Sequence, residues 1–63
     1  MLRELDSRQT PEGDLIALWW DDETDSIQLL IEPADRSTVS FSVEADRAYD
    51  AFQHPWAYAP AHV

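Results

Sequence analysis

Asp21, Glu23, Asp25 and Glu32 stand at positions 1, 3, 5 and 12 of a twelve-residue window. A calcium loop places its oxygen ligands at that spacing. The flanking residues argue against such a loop. Position 6 is Ser26 where the sharp turn needs glycine, residues 27–31 alternate like a strand, and no helical pattern precedes Asp21. These carboxylates are therefore expected in a solvated hairpin loop without a metal. His54, four residues after Asp50, and His62 form a second set of ligand types. Two histidines at a fraying helix end and in a tail make a poor site, so neither a metal nor any other cofactor is expected. Ser7, Ser26, Ser37, Ser40 and Ser42 offer hydroxyls, but no glycine-rich elbow frames any of them. A chain of 63 residues also leaves little room for a substrate pocket of about 300–1,000 Å³. The expectation is a protein that is not an enzyme.

The aromatic residues make the third set: Trp19, Trp20, Tyr49, Phe52, Trp56 and Tyr58. Tryptophan and tyrosine dominate the energetics of protein interfaces. Trp19 and Trp20 are adjacent on a strand, so they face opposite sides. One is expected to fill a helix–sheet core. The outward one, with Trp56 and Tyr58, is expected to form a contact surface for a partner.

The elements that must position these residues follow from pattern. Residues 2–8 read as a polar edge strand. Thr10-Pro11-Glu12-Gly13 is a turn, with proline suited to its second position and the lone glycine free to take positive φ. Residues 14–20 form a short, almost wholly apolar strand, and residues 21–26 a hairpin loop. A second apolar strand covers 27–31 and stops at Glu32-Pro33, followed by a turn over 34–37. In residues 38–43, Val39, Phe41 and Val43 alternate with Thr38, Ser40 and Ser42, the pattern of a sheet with one wet face. Residues 44–53 read as a helix whose apolar stripe is Ala45, Ala48, Tyr49 and Phe52. Pro55 ends it, leaving an irregular aromatic tail over 56–63. The expected fold is α+β: one domain over residues 1–63, a three- to four-stranded antiparallel meander with one C-terminal helix on one face. One short helix cannot cover such a sheet, and the strand over 14–20 is apolar on both sides. A dimer mate is the simplest cover for the remainder.

Composition limits the partners. Thirteen acidic residues face four arginines, at 3, 8, 36 and 47, and no lysine, for a net charge of −9. Nucleic acid and anionic membrane surfaces both select clustered basic residues, so neither is an expected partner. No apolar run approaches the ~20 residues that span a bilayer, and no signal-peptide core opens the chain. With no cysteine, the expected location is the cytoplasm. The chain is 44% hydrophobic, which suits a folded domain. Below roughly 70–80 residues, however, one core rarely supplies more than about 3–5 kcal/mol, a second reason to expect self-association. The negative charge has two readings. It keeps a small domain soluble, or it attracts a basic, possibly DNA-binding, protein by imitating nucleic acid. Its spread over every loop favours the first.

The segments Trp20-Asp21, Phe41-Ser42-Val43 and Ala48-Tyr49-Asp50-Ala51-Phe52-Gln53-His54-Pro55-Trp56-Ala57-Tyr58-Ala59 together resemble a group of short, uncharacterised actinobacterial proteins. Those proteins close on Asp-Ala-Phe-x-His-Pro-aromatic-Ala-Tyr-Ala. The resemblance covers most of the chain and implies a GC-rich actinobacterial source, but brings no activity with it. In strand–strand–helix order alone, the chain is also similar to small actinobacterial proteins that accompany helix-turn-helix regulators. The expected function is a non-enzymatic, homodimeric interaction or regulatory accessory protein. Its candidate partner-binding residues are Trp19, Trp20, Trp56 and Tyr58. An acidic mimic of nucleic acid is the alternative.

Overall fold

A computed structural model describes residues 1–59 of the chain. Four strands, β1 (Leu2–Gln9), β2 (Leu15–Asp21), β3 (Ser26–Glu32) and β4 (Val39–Val43), form one antiparallel sheet in the order β1-β2-β3-β4. Each strand pairs with its chain neighbour, so short turns suffice. In the first, Gly13 N–H donates to Thr10 O at 2.9 Å and Thr10 N–H to Asp14 O at 2.8 Å. Gly13 takes φ 94°, the left-handed residue that closes a three-residue hairpin loop. In the second, Asp25 takes φ 54°, a conformation that aspartate tolerates better than most residues.

Helical segments follow: a single 3₁₀ turn (Ala45–Arg47), α1 (Ala48–Gln53) and the one-turn α2 (Pro55–Tyr58). The expected helix over 44–53 is thus tighter in its first turn, and the expected irregular tail begins instead with α2. Pro55 ends α1 but opens α2 at its first turn, where a missing N–H costs nothing. The buried stripe differs as well. Ala48, Ala51, Phe52 and Pro55 are buried, again at i, i+3, i+4 and i+7, while Ala45 is exposed and Tyr49 is 69% exposed. The stripe is turned by about 60° on a 3.6-residue helix because Ala51 and Pro55 take part in it.

The core lies between that stripe and one sheet face. Ile16 and Leu18 of β2 stand opposite Ile31 and Leu29 of β3, and Leu29 and Ile31 stand opposite Phe41 and Val39 of β4. Ile16, Leu29 and Ile31 are fully buried, each contributing roughly 1.5–3 kcal/mol. Val39, Phe41, Val43 and Tyr58 pack around the margin.

β1 is exposed along nearly its whole length. Its register with β2 passes from Glu4↔Trp19 to Asp6↔Leu18, which leaves Leu5 as an extra residue. This bulge shifts the side-chain phase. Leu2 and Glu4 therefore share the sheet's outer face with Trp19, whereas Arg8, opposite Ile16, turns to the helix face. There Arg8 Nη2 donates to Phe52 O at 2.8 Å and Gln53 O at 3.1 Å, and Nε donates to Phe52 O at 3.2 Å. These are the end carbonyls of α1, which lack intrahelical donors. A cation at a helix C-terminus also suits the dipole.

Candidate functional site

The four aromatic residues expected to meet a partner occupy three different places. Trp19 lies on the outer sheet face, opposite Glu4 and Gln28. Trp20 lies on the helix face, opposite Arg3 and Ile27. It is half-buried and stands outside the core cluster. Its Nε1 donates to Asp25 Oδ1 at 3.1 Å, so it braces the β2–β3 turn instead of filling the centre. Trp56 and Tyr58 come from α2, on the helix side. The sheet thus separates Trp19 from Trp56 and Tyr58, and the single surface expected from the three does not exist. Strand alternation fixes which way Trp19 points; the side taken by α2 depends on packing that no short spacing encodes.

Among the described residues, no element covers the outer face. Leu15, Ala17 and Trp19 alternate along β2, and Leu30 stands opposite Ala17 on β3. Ala17 is buried by this company. Trp19, Leu30, Gln28, Ser40 and the exposed Leu2 line a shallow depression of about 270 Å³. The charged side chains of this face are Glu4, Asp21 and Glu32, all acidic. The arginines are elsewhere: Arg3 and Arg8 on the helix face of β1, Arg36 in the β3–β4 turn and Arg47 in the 3₁₀ turn. Leu15, Ala17 and Leu30 were the part of this surface that attention to aromatic residues alone passes over. The signal for Leu15 and Ala17 was an apolar residue at every position of Leu15–Trp20, and for Leu30 the unbroken run Leu29-Leu30-Ile31.

A second concave region follows β4 on the helix side. Arg36, Val39, Ser40 and Trp56 border a depression of about 610 Å³. Phe41, Val43, Arg47 and Tyr58 border another of about 320 Å³. The guanidinium of Arg36 lies 5.1 Å from the Trp56 ring centroid, and Trp56 remains 42% exposed. Tyr58 donates its hydroxyl to Asp50. The Arg47 guanidinium is held above its ordinary range, first by Tyr58 and then by Asp46 and Asp50.

The calcium-like spacing dissolves in three dimensions. Asp21 Oδ1 accepts from Glu23 N–H at 3.0 Å, Asp22 Oδ1 contacts the Met1 amine at 2.5 Å, and Asp25 serves Trp20. Glu32 ends β3 beside Leu15, about 20 Å from the loop at the usual strand rise. His54 is exposed between α1 and α2, and His62 lies outside the described residues. Among the described residues, no group of three or more histidines or carboxylates converges as metal ligands would. None of the described helices is long and apolar enough to cross a membrane.

The chain matches no protein-family model, no curated protein and no solved structure.

Proposed function

We propose that the chain is a small, non-enzymatic interaction protein, homodimeric and accessory to another protein, which it contacts with the outer face of its sheet. The observation that carries this reading is the uncovered strip of Leu15, Ala17, Trp19 and Leu30 with acidic side chains as its only charges. An apolar centre with a polar rim is the anatomy of a contact surface, and an acidic rim selects a partner whose apolar residues are framed by lysine or arginine. The test uses the source organism's proteins captured on the immobilised chain and on its Trp19→Ser variant, at low and high salt. Loss of a specific partner with Trp19→Ser, at unchanged folded stability, supports the reading. An identical set of captured proteins for both chains defeats it.

A second reading, the acidic mimic of nucleic acid, draws support from Asp21, Asp22, Glu23 and Asp25 in one hairpin. Glu44 follows β4 at the same end of the sheet. Against it, Glu12, Asp14, Glu32 and Asp35 belong to the opposite end, so the acids form no single stripe. The mimic requires capture that collapses in salt yet survives Trp19→Ser.

A further inference from the structure

The two edges of the sheet are built differently. β1 carries features that keep a free edge from pairing: the charged Arg3, Glu4, Asp6 and Arg8, and the bulge at Leu5. β4 has none of them. Val39-Ser40-Phe41-Ser42-Val43 contains no charge and no proline, and among the described residues its only strand partner is β3. Its far side therefore presents unpaired backbone N–H and C=O groups, beside half-buried Val39, Phe41 and Val43. An occupant must offer a strand's backbone together with apolar side chains on the helix face.

We propose that the occupant is β4 of a second copy, running antiparallel about a two-fold axis at Phe41. This rests on the homodimer reading above and supplies its interface. The sequence is self-complementary about that axis. In this register Phe41 meets Phe41 of the second copy, Val39 meets Val43, and Ser40 meets Ser42, so apolar meets apolar on one face and hydroxyl meets hydroxyl on the other. Past the strand ends, the same axis brings the turn carrying Asp35 and Arg36 of one copy beside the 3₁₀ turn carrying Asp46 and Arg47 of the other. Each end then sets one acid and one base against one acid and one base, with Arg36 and Asp46 at matching positions about the axis. In a chain of thirteen acids and four bases, composition does not force that outcome. Moving the register by two residues, so that Ser40 meets Ser40, keeps a single opposite pair, Arg36 with Glu44, and sets Val43 against Ser37. The outer face is the poorer place for a second copy. Its charges are Glu4, Asp21 and Glu32, and face-to-face packing would bring acids together. An edge dimer leaves that face free for another protein and joins two sheets into one of eight strands.

The experiment is sedimentation of the full chain over a concentration series, with charge swaps and single cysteines. Arg36→Asp and Asp46→Arg should each weaken the dimer about tenfold, because symmetry repeats each lost pair. The double variant should regain most of that loss, which a merely structural effect on folding would not do. The chain has no cysteine of its own, so Phe41→Cys, self-opposed at the axis, should form a disulfide-linked dimer under mild oxidation. Trp19→Cys should not. A dimer that cross-links through Trp19→Cys and ignores the charge swaps overturns the β4 interface while sparing the homodimer. A chain that stays monomeric throughout overturns both.

Discussion

Replacing Arg8 with methionine should destabilise the fold by about 2 kcal/mol. Arg8 is the link between an otherwise exposed β1 and the end of α1. Its guanidinium makes two contacts with Phe52 O, at 2.8 and 3.2 Å, and one with Gln53 O at 3.1 Å. The two contacts on Phe52 O share one acceptor and the Gln53 contact is exposed, so together they count as one charge-assisted bond of about 1.5 kcal/mol. The guanidinium also lies 5.4 Å from the Phe52 ring centroid, a cation–π contact of about 0.5–1 kcal/mol. Methionine keeps most of the apolar stem and removes both. In a domain this small, each kcal/mol moves Tm by about 4–8 °C, so Tm should fall by about 8–16 °C. Urea unfolding followed by tryptophan fluorescence at fixed protein concentration measures the loss as a lower midpoint with unchanged slope. Arg8→Lys keeps the charge near the helix end without the planar fork and should recover about half of the loss. If Arg8→Met lies within about 0.5 kcal/mol of the parent chain, the scatter of a neutral surface change, then Arg8 does not hold β1 to α1 and the account of the bulge fails with it.

Gly13→Ala should cost about 1–2 kcal/mol, seen in the same urea titration. The added methyl would meet only Ala34 Cβ at 3.6 Å, an ordinary contact, so the whole cost comes from φ 94°. At Asp25, Gly should be nearly neutral, because relief at φ 54° offsets the lost Trp20 bond. Val at the same position should destabilise by more than about 1 kcal/mol; equal stability of the two variants would contradict the assigned turn. Calcium up to millimolar should leave tryptophan fluorescence unchanged, because Asp21 and Asp25 are engaged by Glu23 N–H and Trp20 Nε1 and Glu32 is remote. A saturable change in that signal would restore the loop as a cation site.

Strands and turns were legible because they rest on local chemistry. The alternation of Val39, Phe41 and Val43, the turn at Thr10–Gly13 and the acidic loop before Ser26 each declare themselves within a few residues, and the strand ends fall within a residue or two of their expected places. The helix was legible in position and misjudged in phase. Ala51 and Pro55 are weakly hydrophobic beside Tyr49, and only tertiary packing, for Ala51 the contact of α1 with β2 and β3, decides that they are buried. The bulge at Leu5 left no trace in composition, because an extra residue in a polar strand changes no pattern; it is visible only through pairing with β2. The aromatic site was half legible. Residue type marked Trp19, Trp56 and Tyr58, but their separation by the sheet is a property of the fold.

The meander order also sets the course of folding. Each strand closes against the one before it, across turns of a few residues, so the sheet assembles from events of low loop entropy. The bonds from Arg8 to Phe52 and Gln53 join residues 44 and 45 positions apart, the longest sequence separation of any side-chain hydrogen bond among the described residues. They act as a latch, formed after the hairpins and released before them. Partial opening should begin there, freeing β1 and the end of α1 while β2 and β3 stay paired, and amide exchange should be fastest along β1.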